Sequence, residues 1–156
     1  MNLSKQIGKQ LRDLYSGGNY TGVSLKDALA DVDWKTATTK FSSFNSILAL
    51  VYHINYYLIA VLKVLQGEPL NASDKFSFDH PQIQSKEEWK EFLNQFWKDG
   101  EDFAMLIDQL PENKFLEPFL DGRYGTYYRN IVGVIEHTHY HLGQIVLIKK
   151  MLLQTK

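Results

Sequence analysis

The sequence predicts an all-α protein: a four-helix bundle whose long first crossover carries a short helix. Three observations lead there. Four stretches of the 156-residue chain place apolar residues at helical spacing. Caps, glycines and prolines bound those stretches where helices begin and end. No stretch shows the two-residue alternation of a strand.

The first long helix is expected over residues 3–15, with Leu3, Ile7, Leu11 and Leu14 on one face, and Gly17 and Gly18 ending it. The connection over 19–40 contains Ser24-Leu25-Lys26-Asp27, a helix-start signature, which places a short helix at about 25–32. The second long helix reads over 43–66 through Ile47, Leu50, Ile54, Leu58, Val61 and Leu65. Gly67 then serves as C-cap and Pro69 stops continuation. Residues 68–84 hold Pro69 and Pro81 with little periodicity and read as loop. Ser85-Lys86-Glu87-Glu88 is a capping box, with Ser85 as N-cap and Glu88 at the third helical position. It opens the third helix, which runs through Trp89, Phe92, Phe96, Phe103 and Ile107 to Pro111; Gly100 weakens it locally. A second loop spans 112–125, and the fourth helix 127–153. The whole, 1–156, reads as one domain.

Hydrophobic residues make up 44% of the chain, enough to bury a core. A net charge of −1 gives no general attraction to nucleic acid or to anionic lipid. The absence of cysteine excludes disulfides, thiolate zinc sites and a cysteine nucleophile. The start, MNLSKQIGKQLRDLY, is polar and amphipathic, unlike a signal peptide. The longest apolar run, from Ile47, is interrupted by His53 and Asn55 before it reaches membrane-spanning length. A soluble, cytoplasmic protein is expected, with no nucleic acid or membrane as partner.

The chemistry concentrates in EHTHYHLGQ, residues 136–144, which hold three of the five histidines. His137 and His141 are four apart on the expected fourth helix, with Cβ atoms roughly 6 Å apart on one face, so both can reach one divalent ion. His139 points well away, at about 100° per residue. Relative to the apolar stripe of Ile131, Val134, Ile135, Ile145 and Leu152, His141 sits roughly 40° and His137 roughly 80° from the centre, at the edge of the core. His53 occupies a similar flank of the second helix, with Tyr57 one turn on. Three imidazoles and an open position make a catalytic-type shell if the two helices are neighbours. The spacing alone equally allows polar residues satisfied at a core edge. His80, before Pro81, reads as a solvated loop residue, and His139 as incidental.

Other chemistries fail. Thr138 stands where the zinc-protease motif H-E-x-x-H needs glutamate. There is no G-x-S-x-G, no phosphate loop and no dinucleotide fingerprint, and the paired Glu-x-x-His of di-iron bundles is not met.

Three segments carry a resemblance. The second helix has Asn45-Ser46-Ile47 and then Leu50-Val51-Tyr52-His53-Ile54-Asn55-Tyr56-Tyr57. The third has Trp89 with Phe103, Leu106 and Leu110. The fourth has His137-x-x-x-His141-Leu142-Gly143-Gln144. With these, nearly the whole chain resembles the DinB-like superfamily, which includes thiol-dependent transferases of the bacillithiol and mycothiol type. The resemblance implies an up-down-down-up four-helix bundle and a homodimer. It also implies a divalent transition metal (zinc, nickel or iron) on His53, His137 and His141. Asn45, Tyr57 and Gln144 are the pocket groups expected nearby, and backbone carbonyls, Asn55 or Glu136 are the candidates to hold the second ring nitrogens. The family's usual arginine after the last histidine is Leu142 here, and Tyr140 stands where another histidine is frequent. The implied activity is metal-dependent: an S-transferase using a low-molecular-weight thiol, or a hydrolase. The alternative is a non-catalytic metal- or small-ligand-binding bundle.

Overall fold

The computed structural model describes residues 2–154. Six α-helices are present among them: α1 Leu3–Ser16, α2 Leu25–Leu29, α3 Trp34–Thr38, α4 Ile47–Leu65, α5 Lys86–Gln109 and α6 Tyr127–Gln154. Two 3₁₀ turns, Asp74–Phe76 and Glu112–Leu116, lie in the loops. No strand occurs among the described residues, only a single antiparallel bridge between Pro118 and Thr126. The protein is all-α, as its periodicity indicates.

Local chemistry sets the helix ends. The Asn2 side chain accepts from Lys5 N to start α1, and Gly17, at φ 113°, ends it. The crossover differs from expectation. Its capping box forms between Ser24 and Asp27, but α2 stops at Leu29. A second short helix, α3, follows because Asp33 caps it through the Thr36 amide at 2.7 Å. Helix α4 begins at Ile47, not at residue 43, since Ser46 is the residue whose hydroxyl accepts from Ala49 N. Its other end follows the expected pattern. Gly67 takes φ 88°, and the amides of Gly67 and Glu68 close back on Val64 and Lys63. Ser85 caps α5 as the capping signature requires, accepting from Glu88 N.

Helix α1 lies along α5, and α4 packs against both α5 and α6. Burial of Ile7, Leu11 and Leu14 against Phe96, Phe103 and Ile107 holds the first pair. Gly100, helix-weakening by itself, is where the Tyr15 ring lies. A Cβ there would stand 2.4 Å from that ring. Two long-range bonds tie the crossover down: Trp89 Nε1 donates to Val32 O at 2.8 Å, and Lys149 donates to Ala28 O at 3.0 Å while pairing with Asp31. Helix α4 is long and apolar enough, by length and composition, to span a membrane, contrary to the expectation from its interruptions. In the fold, 67% of that window is buried against the protein's own helices.

Candidate metal centre

His53 comes from the middle of α4, and His137 and His141 from the middle of α6. The packing of α4 on α6 joins them. A ligand nitrogen from each of the three lies within 4.8 Å of the others. The ring of His53 is centred 4.9 Å from His137 and 4.8 Å from His141. His53 and His141 are buried, at 8% and 7% exposure. His137 is half-buried, which matches its greater distance from the centre of the apolar stripe.

The second ring nitrogens define the tautomers. His53 Nδ1 lies 3.2 Å from the carbonyl of Ser77. A carbonyl only accepts, so Nδ1 carries the proton and Nε2 is left with its lone pair. His141 Nδ1 stands 2.7 Å from Gln144 Oε1, with the same consequence. His137 Nδ1 is buried without a partner. Nε2 of His141 and Nε2 of His137 are 3.0 Å apart. Two lone pairs at that separation repel unless a proton or a cation stands between them. Two nitrogens on one zinc, each at about 2.0–2.1 Å, sit roughly 3.0–3.4 Å apart depending on the coordination angle. The donor set, the tautomers and the His137–His141 spacing therefore fit a divalent ion, and His53, whose nitrogen lies within 4.8 Å of theirs, would close in slightly to share it.

The electrostatics agree. Burial, with the like charges of His141 and His53 as secondary causes, lowers the pKa of His137 from 6.5 to about 4. Burial likewise lowers those of His53 and His141, against the opposing pull of the Ser77 carbonyl and the Gln144 amide respectively. All three are neutral at pH 7, the state a metal requires.

Of the other expected site residues, Gln144 orients His141 as described. Tyr57 stacks edge-on at 5.1 Å from both His53 and His137. Its hydroxyl bonds to the carboxylate of Asp74. Asn45 lines a second groove, of about 340 Å³, together with Gln144, Leu50 and Leu147. Asn55 turns away to donate to Asp99 at 2.7 Å, and Glu136 is exposed at the cavity wall, so neither orients a histidine. The orienting group for His53 is a backbone carbonyl. His139 bonds within its own helix, to Ile135 O at 3.2 Å. His80 is half-buried beside Tyr52.

The loop over 68–84 contributes more than its sequence shows. Its 3₁₀ turn presents Asp74 to Tyr57, and the next residues supply the Ser77 carbonyl and the ring of Phe78, stacked on His53 at 4.0 Å and 7°. The sequence signal for this is a pair of phenylalanines, Phe76 and Phe78, two residues apart in the loop. His53, Tyr57, Asp74 and His137 form one end of a cavity of about 890 Å³. Val61, Leu70 and Phe119 line its sides, and Arg123, Arg129 and Asn130 stand at the N-terminal end of α6. The size is that of a small-molecule site.

Comparison of the chain with protein-family models, with curated proteins and with solved structures finds no match to any of them.

Proposed function

We propose that this protein is a metal-dependent enzyme, holding zinc, nickel or iron on His53, His137 and His141 inside a four-helix, up-down-down-up bundle of the DinB-like type. The observation that carries the proposal is the convergence of three neutral imidazoles, from two helices, at the end of a cavity large enough for a small molecule. The reaction classes that suit it are transfer to or from a low-molecular-weight thiol, and hydrolysis. A divalent ion bound there supplies a Lewis-acid centre with positions left open to substrate.

The chain's own residues set the conditions. The Ser77 carbonyl and the Gln144 amide fix His53 and His141 in the tautomer that offers Nε2. Phe78 and Tyr57 cover His53 and exclude water from its faces. The Tyr57 hydroxyl, bonded to Asp74 within the cavity wall, can hold a proton beside the reacting atoms. Burial and the neighbouring carboxylate raise its pKa, so it stays protonated at neutral pH.

The test is metal content of tag-free protein by elemental mass spectrometry, after reconstitution with zinc or nickel. About one ion per chain is expected in wild type, as one triad offers one shell. Its loss is expected in His53→Ala. Protein without bound ion under metal-replete conditions would overturn the proposal.

A further inference from the structure

The cavity is electrically lopsided. Its histidine end holds the carboxylates of Asp74 and Glu136. Its other end holds two arginines. Arg123 is committed in part to Asp121, at 3.0 Å. Arg129 is exposed, and among the described residues its guanidinium has no carboxylate partner. Arg129, Gly133, His137 and His141 follow one another at intervals of four on α6, a single row along one face. The eight residues from Arg129 to His137 place them about 12 Å apart along the helix axis.

Gly133 sits midway in that row, in the wall of the cavity. It is interior to a 28-residue helix, where glycine is the least favourable residue except proline. No neighbour demands it, because a Cβ built there meets nothing within 4 Å. Gly143, with similar free space, is exposed and outside the cavity. Gly133 thus lines the same cavity as His137 and Arg129 without a side chain to fill it, and the apolar side chains of Val61 and Phe119 belong to the same lining.

We propose that the row Arg129–Gly133–His137 is a substrate track. It takes an elongated small molecule with an apolar middle and an anionic end group, a carboxylate in the first instance. The anion is held by the guanidinium of Arg129, the chain crosses the gap at Gly133, and the reacting end reaches the three histidines. The inference rests on the proposed metal site for the last of these statements only. Arg129 recognises the anion by charge-assisted hydrogen bonds whether or not a sulfur reaches the ion.

A matched pair of probes, ω-mercaptooctanoate and ω-mercaptooctanol, tests it on the cobalt(II)-loaded protein, with calorimetry reading affinity and the cobalt absorption reading sulfur ligation. The acid is expected to bind about five- to tenfold tighter than the alcohol, the margin of one charge-assisted bond at an exposed site. Arg129→Gln, on the surface and away from the core, is expected to abolish that margin and leave the alcohol's affinity and the metal content unchanged. Gly133→Leu is expected to lose both probes with the cobalt retained. Equal or absent binding of the two probes to wild type overturns the track, as does a margin that survives Arg129→Gln. An acid-over-alcohol margin with no change in the cobalt spectrum upholds the track and removes the thiol reading of the metal site.

Discussion

At the scale of single residues, the spacing of His137 and His141 was legible because a helix of known pitch fixes which side chains share a face. What orients them was only half legible. Gln144, three residues after His141, is a local contact and could be named; its amide lies 2.7 Å from Nδ1. The Ser77 carbonyl and the Phe78 ring reach His53 across 24 and 25 positions of chain, and no local pattern encodes such a contact. Asn45 lines a second groove that shares Gln144 with the histidine site. The orienting role of Gln144 has a measurable consequence. Gln144→Ala should weaken zinc binding by about 10–100-fold, the usual cost of losing an outer partner of a ligating histidine, with one ion still bound at saturation. Competition against a chromophoric chelator reads this directly. A variant that holds zinc as tightly as wild type would show that the amide plays no part.

The same residues set a pH dependence for the metal-free protein. The unfolded chain takes up a proton on each histidine near the ordinary value of 6.5, whereas folded His137 does so only near 4. Between those values the unfolded state binds more protons, so stability rises with pH and is lost as pH falls. The three lowered histidines should therefore give a metal-free protein whose melting temperature is level above about pH 6.5 and declines below it. The decline should be shallower in His137→Gln, which removes the most strongly perturbed of the three. Thermal melts in the presence of a chelator, across that range, check the difference between the two slopes.

At the scale of elements, helix existence was plain and helix ends were not. Ser43 and Ser46 are both acceptable N-caps in sequence; only the backbone at Ser46 directs its hydroxyl to the Ala49 amide. The break after α2 has the same character, since Asp33 caps α3 through an extended backbone that propensity does not foretell. Glycines show how far one residue type can diverge. Gly100 and Gly133 both lie inside long helices and look alike in the sequence. Gly100→Ala forces a methyl to within 2.4 Å of the Tyr15 ring and should destabilise by about 1–3 kcal/mol. Gly133→Ala meets empty space and should stabilise by about 1 kcal/mol through helix propensity alone. Denaturant midpoints of the two variants should move in opposite directions, and a destabilising Gly133→Ala would mean that an unseen packing demand exists there.

At the scale of the molecule, the all-α class followed from periodicity, but the partner of each helix did not. Helix α4 is apolar enough by composition to cross a membrane, and it packs against both α5 and α6 with 67% of that apolar window buried. The histidines couple that central helix to α6 across the core, while the loop carrying Ser77 and Phe78 clasps His53 from outside. An ion bound to all three would thus join α4, α6 and the loop, and the unfolded chain offers no such preformed shell. Binding to the native state alone stabilises it by about 4 kcal/mol at a thousand times the dissociation constant. For a chain of this length that corresponds to a rise in melting temperature of roughly 10 °C. Chelation should reverse the rise in wild type. His53→Ala should melt at one temperature with and without zinc, because two histidines on a single helix tie no elements together. If instead the wild type melts alike in zinc and in chelator, the three imidazoles are a buried polar cluster, held by Ser77, Gln144 and one another.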